Sequence, residues 1–136
     1  MTRLIIVAHR PLASAYALLA QHIYPDCAAT LGWVDVAPDA GLCEVISQIE
    51  AVLVNRGTDA EAGEVLILVD VQGATPANAA ACLARGRPMR VLAGLNAAML
   101  WRSLCYASKP LDELFALAEA GGQRGICECA AESSVS

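Results

Sequence analysis

The sequence predicts an α/β fold, an open three-layer sandwich around a mainly parallel sheet. Two observations carry this. Four short apolar runs alternate with segments of helical periodicity along the 136 residues, the pattern of a parallel sheet with crossover helices. The strongest run, Val65-Leu66-Ile67-Leu68-Val69, is apolar at every position. A strand of that kind is covered on both faces.

The elements follow in order. Leu4 to Ala8 is a short, β-branched apolar run and reads as a buried strand. Pro11 suits a helix's first turn, and Leu12, Tyr16, Leu19 and Ile23 then share one helical face. Pro25-Asp26 ends that helix, and Leu31 to Val36 forms a second strand. Leu42, Val45, Ile46, Ile49, Val52 and Leu53 mark a second helix, expected to stop near Gly57. Glu64 to Val69 is the third strand. Thr75 is the expected N-cap of the next helix, with Pro76 its first residue and Arg85 near its end. Met89 to Ala93 is the fourth strand. A helix is expected over Ala97 to Ala107, and another from Pro110, carrying Leu111, Leu114, Phe115 and Ala118 and stopped by Gly121-Gly122. Gly125 to Cys129 reads as a last short strand. One domain over residues 1–129 accounts for the chain, with 130–136 as a disordered tail.

Composition narrows the function. Apolar residues make up 57% of the chain, which argues against disorder. No apolar stretch approaches the roughly 20 residues of a spanning helix. No signal peptide is read at the N-terminus, and a cytoplasmic protein is expected. A net charge of −5 without a basic stripe argues against nucleic acid as a partner. The six cysteines are expected to be reduced and partly buried. Cys127 and Cys129 lack companion ligands for a metal site.

Chemistry is expected beyond the C-terminal ends of the strands, where open parallel sheets collect ligands. His9 follows the first strand, Asp70 the third, and Gly94 with Asn96 the fourth; Asp35 lies near the end of the second. If the first and third strands are neighbours, His9 and Asp70 face each other. An aspartate bonded to one imidazole nitrogen fixes the tautomer and frees the other. No serine or cysteine is placed as a nucleophile beside His9, so the free nitrogen is itself the candidate. After Asp70, Gly73 permits close backbone approach and Thr75 offers a hydroxyl at a helix start, a seat for a phosphoryl group. Neither a Walker loop nor GxGxxG is present. No cofactor or metal is called for. A small hydrolase using His9 and Asp70 as acid and base is a weaker reading, because it lacks a placed nucleophile.

Together these segments resemble the IIA component of the mannose family of the phosphoenolpyruvate-dependent sugar phosphotransferase system (PTS). Leu4 to His9 is similar to the family's first strand, which ends in its phosphorylated histidine, and Gly32 to Asp35 to its second. Leu68-Val69-Asp70 with Gly73-Ala74-Thr75-Pro76-Ala77-Asn78 resembles V-D-x-x-G-G-S-P-x-N. Ala93-Gly94-Leu95-Asn96-Ala97-Ala98-Met99-Leu100 resembles A-G-x-N-x-P-M-L. The chain departs in having Ala8 before the histidine, Arg10 after it, and Ala74, Thr75 and Ala98 for glycine, serine and proline.

The resemblance implies strand order 2-1-3-4 and a homodimer, with Gly125 to Cys129 as a strand pairing across subunits. It implies phosphorylation of His9 by the carrier HPr, with Asp70 orienting the ring, and transfer to a IIB protein. Gly73, Ala74 and Thr75 would hold the phosphate, and Arg10, where the chain departs from the family, would add a cation beside it; Asp35, Gly94 and Asn96 would line the pocket. Contact with a membrane would be indirect, through a transporter complex. A stand-alone regulatory IIA, whose His9 phosphorylation controls binding to another protein, is the alternative.

Overall fold

The computed structural model describes residues 1–55 and 63–131. The expected helix stop near Gly57 and residues 132–136 of the expected tail lie outside the described residues.

The strands are β1 (Thr2–His9), β2 (Gly32–Val36), β3 (Glu64–Val69) and β4 (Met89–Ala93). They form one sheet in the order β2-β1-β3-β4, with every pairing parallel. The helices are α1 (Leu12–Ile23), α2 (Pro25–Ala28), α3 (Leu42–Asn55), α4 (Thr75–Ala84), α5 (Ala97–Cys105) and α6 (Leu111–Arg124).

Side chains alternate across each strand, so the sheet divides the core in two. Leu4, Ile6 and Ala8 of β1, with Leu66 and Leu68 of β3, pack against α1, α5 and α6. Ile5 and Val7, with Val65, Ile67 and Val69, pack against α3 and α4. Ile5, Ile6, Leu66, Ile67 and Leu68 are fully buried, each worth about 1.5–3 kcal/mol of apolar transfer. The uninterrupted apolar run of β3 is thus explained by helices on both faces.

Arg3 closes one end of this arrangement. Its guanidinium donates to the carbonyls of Val52 and Leu53 at 2.8 and 2.9 Å. Those carbonyls belong to the last turn of α3, where a cation also meets the negative end of the helix.

Four expectations are corrected. Gly121 and Gly122 do not stop α6, which continues to Arg124. They are contact points: a Cβ on Gly121 would stand 2.9 Å from Cβ of Arg102, and one on Gly122 3.1 Å from Cβ of Met99. The gain in α5–α6 packing outweighs glycine's poor helix propensity. Gly125 to Cys129 therefore does not form a strand within the chain: Gly125 caps α6, and 126–131 have no regular structure. Helix α4 begins at Thr75 with Ala74 as N-cap, because the amide of Asn78 already donates to the Ala74 carbonyl at 2.9 Å. The cysteines are not partly buried as a set; Cys27 is half-buried and the other five are exposed. Alanines such as Ala79 and Ala80 take the inward helical positions instead.

Candidate functional site

Parallel pairing of β1 with β3 brings His9 and Asp70 to the same edge of the sheet. Each continues a buried strand into a loop. The carboxylate of Asp70 accepts three N–H groups. Oδ2 takes the backbone amide of His9 at 2.9 Å and faces the ring Nδ1 at 2.8 Å. Oδ1 takes the amide of Val71 at 2.9 Å. Burial pushes the Asp70 carboxyl up, but these bonds from His9 and Val71 outweigh it and hold it below the usual carboxylate range. Asp70 is therefore ionised near neutrality and can only accept. Nδ1 must carry the proton, which leaves the lone pair on Nε2.

The two partners differ in exposure. The Asp70 side chain is 8% exposed and that of His9 45%. The pair is thus an anchored base and a presented ring. Backbone bonds steady both: the amide of Arg10 donates to Val36 at 2.9 Å, and that of Gly94 to the Asp70 carbonyl at 3.1 Å. Gly94 has φ +91° and Gly73 φ +89°, a region that favours glycine. The side-chain Nδ2 of Asn78 donates back from α4 to the Gly73 carbonyl at 3.2 Å.

Beyond the pair, the loop from Val71 to Ala74 leads straight into α4. Pro76 occupies the first turn and has no N–H, so Thr75 and Ala77 present backbone donors that are unpaired among the described residues. The Thr75 hydroxyl makes no hydrogen bond among the described residues. Arg10 is exposed and forms no ion pair among them.

Two other named residues have their side chains engaged elsewhere. Asp35 accepts the amide of Ser14 at 2.9 Å, capping the start of α1. Asn96 is the N-cap of α5, accepting from Met99 at 2.8 Å, and donates to the Gly122 carbonyl at 3.2 Å. Both brace helices that begin at this edge. Sequence reading missed the Val71 amide and the Ser14 contact. Main-chain donors leave no mark in side-chain patterning, so no signal could have found them.

The arrangement is a shielded carboxylate holding an imidazole by one nitrogen and offering the other. The family described as the PTS system fructose IIA component (EIIA-man) matches residues 3–119. The chain belongs to this family. Its members are phosphotransferase-system components, and this PTS IIA chain shares their fold. The mannose/sorbose-specific IIA subunit of the phosphotransferase system from Enterococcus faecalis is 26% identical, with a TM-score of 0.84 over 98% of each chain. The EIIA component from Streptococcus agalactiae is 21% identical, covers 94% of this chain and 97% of its own, and has a TM-score of 0.80. The IIA protein associated with the fucose utilization operon from Streptococcus pneumoniae is 16% identical, covers 93% and 92%, and has a TM-score of 0.70. No curated protein matches the chain by sequence. Among the described residues, no helix of this PTS IIA chain is long and apolar enough to cross a membrane.

Proposed function

We propose that the chain is a phosphocarrier that accepts a phosphoryl group from phospho-HPr on Nε2 of His9 and passes it to a IIB component. The observation that carries this is the pair of hydrogen bonds that Asp70 accepts from His9, one from the backbone amide and one from ring Nδ1. In the step, the phosphorus–nitrogen bond on HPr breaks as one to Nε2 forms. The Nδ1 proton stays on the ring, and the Asp70 carboxylate offsets the positive charge that builds there.

Transfer of this kind rests on positioning and electrostatics. The donors at the start of α4 and the Thr75 hydroxyl suit the phosphate oxygens. Arg10, beside His9 and without an ion-pair partner among the described residues, adds a cation. In a homodimer, the exposed segment 126–131 is available to pair with the open edge of a partner's β4.

Intact mass, followed with phosphoenolpyruvate, enzyme I and HPr, tests the proposal. The protein is expected to gain one acid-labile phosphate and lose it when a IIB protein is added. A His9→Ala variant that still gains that phosphate overturns it.

A further inference from the structure

The outer face of α5 and α6 carries chemistry that the His9 pair does not use. The chain has two tryptophans, three tyrosines and one phenylalanine. Half of them, Tyr24, Trp101 and Tyr106, belong to this region. Trp101 is 45% exposed and Tyr106 38%. The Tyr24 hydroxyl lies 2.7 Å from Sγ of Cys105, one turn beyond Trp101. The Arg102 guanidinium sits 5.9 Å from the centre of the Tyr106 ring.

A groove of about 530 Å³ runs between the two helices, lined by Trp101, Arg102, Cys105 and Arg124 over a floor that includes Gly121 and Gly125. The floor is shallow because the helices nearly touch. A Cβ on Gly125 would stand 2.3 Å from Cβ of Ala98. The stem of Arg102 crosses α6 at Gly121, whose added Cβ would meet its Cγ at 3.0 Å and Nε at 3.4 Å. Arg124 follows three residues later, on the same helical face as Gly121.

Neither Arg102 nor Arg124 has a carboxylate partner among the described residues. That is notable in a chain with 14 acidic and 9 basic residues. Exposed Trp and Tyr beside Arg is the composition of interface hot spots. The Tyr24–Cys105 end of this face lies away from the phosphoryl chemistry. Tyr24 follows α1 at the end away from His9, about 18 Å along a helix of this length.

We infer that this face docks an acidic protein segment, which lays carboxylates on Arg102 and Arg124 and an aliphatic side chain against Trp101. Complementary charge is the deciding feature. The open, shallow groove fits side chains of a peptide. Nucleic acid shares the negative charge, but two guanidiniums on a chain of net charge −5 are a poor match for a polyanion.

The test uses the full chain with Trp33→Phe, which leaves Trp101 as the only tryptophan. It is titrated with a short peptide of alternating Glu and Leu, its Lys–Leu counterpart, and oligothymidylate. The acidic peptide is expected to give a saturable change in Trp101 emission that weakens with salt, while the other two give none. Arg124→Glu should weaken binding about tenfold or more. Arg102→Gln, which keeps the stem over Gly121, should do the same, with circular dichroism melts reporting that both variants fold. No saturable change, unaltered affinity in both folded variants, or tighter binding of the oligonucleotide overturns the inference.

Discussion

Oδ2 of Asp70 meets His9 twice, at the backbone amide and at ring Nδ1, 2.9 and 2.8 Å away. One carboxylate oxygen thereby sets both the main-chain position and the ring orientation of the presented histidine. Because Asp70 leaves β3 and His9 leaves β1, the pairing of those strands delivers this geometry.

Asp70→Asn is expected to slow phosphorylation of His9 by HPr roughly a hundredfold, by weakening tautomer control and removing the charge beside the ring. Loss of charge-assisted bonds should cost about 1–3 kcal/mol of stability, leaving the protein folded. Quenched-flow phosphorylation and urea unfolding check the two parts. A normal transfer rate removes Asp70 from the mechanism.

The same carboxylate makes stability depend on acid. Its folded pKa is lowered by the N–H groups of His9 and Val71 against the opposing effect of burial. The unfolded chain therefore binds this proton more tightly. The stabilisation is complete above the unfolded value, about pH 4, and disappears as pH falls through the lower folded value. Urea midpoints of the wild type and Asp70→Asn should converge between about pH 5 and pH 2. A constant gap across that range contradicts the assignment.

Arg3→Gln should destabilise the protein by about 1.5–3 kcal/mol, because Val52 and Leu53 lose charged donors at the end of α3. The loss is expected in the urea midpoint, with phosphorylation of His9 unchanged at temperatures where the variant is folded. An unaltered midpoint shows that the α3 carbonyls do not need Arg3.

Gly121→Ala should also destabilise, by about 1–3 kcal/mol, although alanine is the better helix former. The new Cβ would meet Cβ and Cγ of Arg102 at 2.9 and 3.0 Å. Thermal melts check this; a raised melting temperature means that α5 and α6 separate at little cost.

Most of the fold was legible because buried parallel strands leave strong marks. Leu4 to Ala8 and Val65 to Val69 are apolar on both faces, and both lie at the centre of the sheet. The helix end near Gly121-Gly122 was misread because glycine is ambiguous. It stops a helix by freeing the backbone, and it also lets two helices approach. Only the position of Arg102 and Met99 decides between these roles, and that is tertiary information. Asp70 and His9 were legible as strand-end residues. The engagement of Asp35 with Ser14 and of Asn96 with Met99 was not, since a polar residue at a strand end can equally cap the next helix.

NMR of the phosphorylated protein with ¹⁵N-labelled histidine identifies the nitrogen that carries the phosphate. Phosphate is expected on Nε2 of His9, with Nδ1 protonated and bonded to Asp70. Phosphate on Nδ1 of His9, or on His22, contradicts the account.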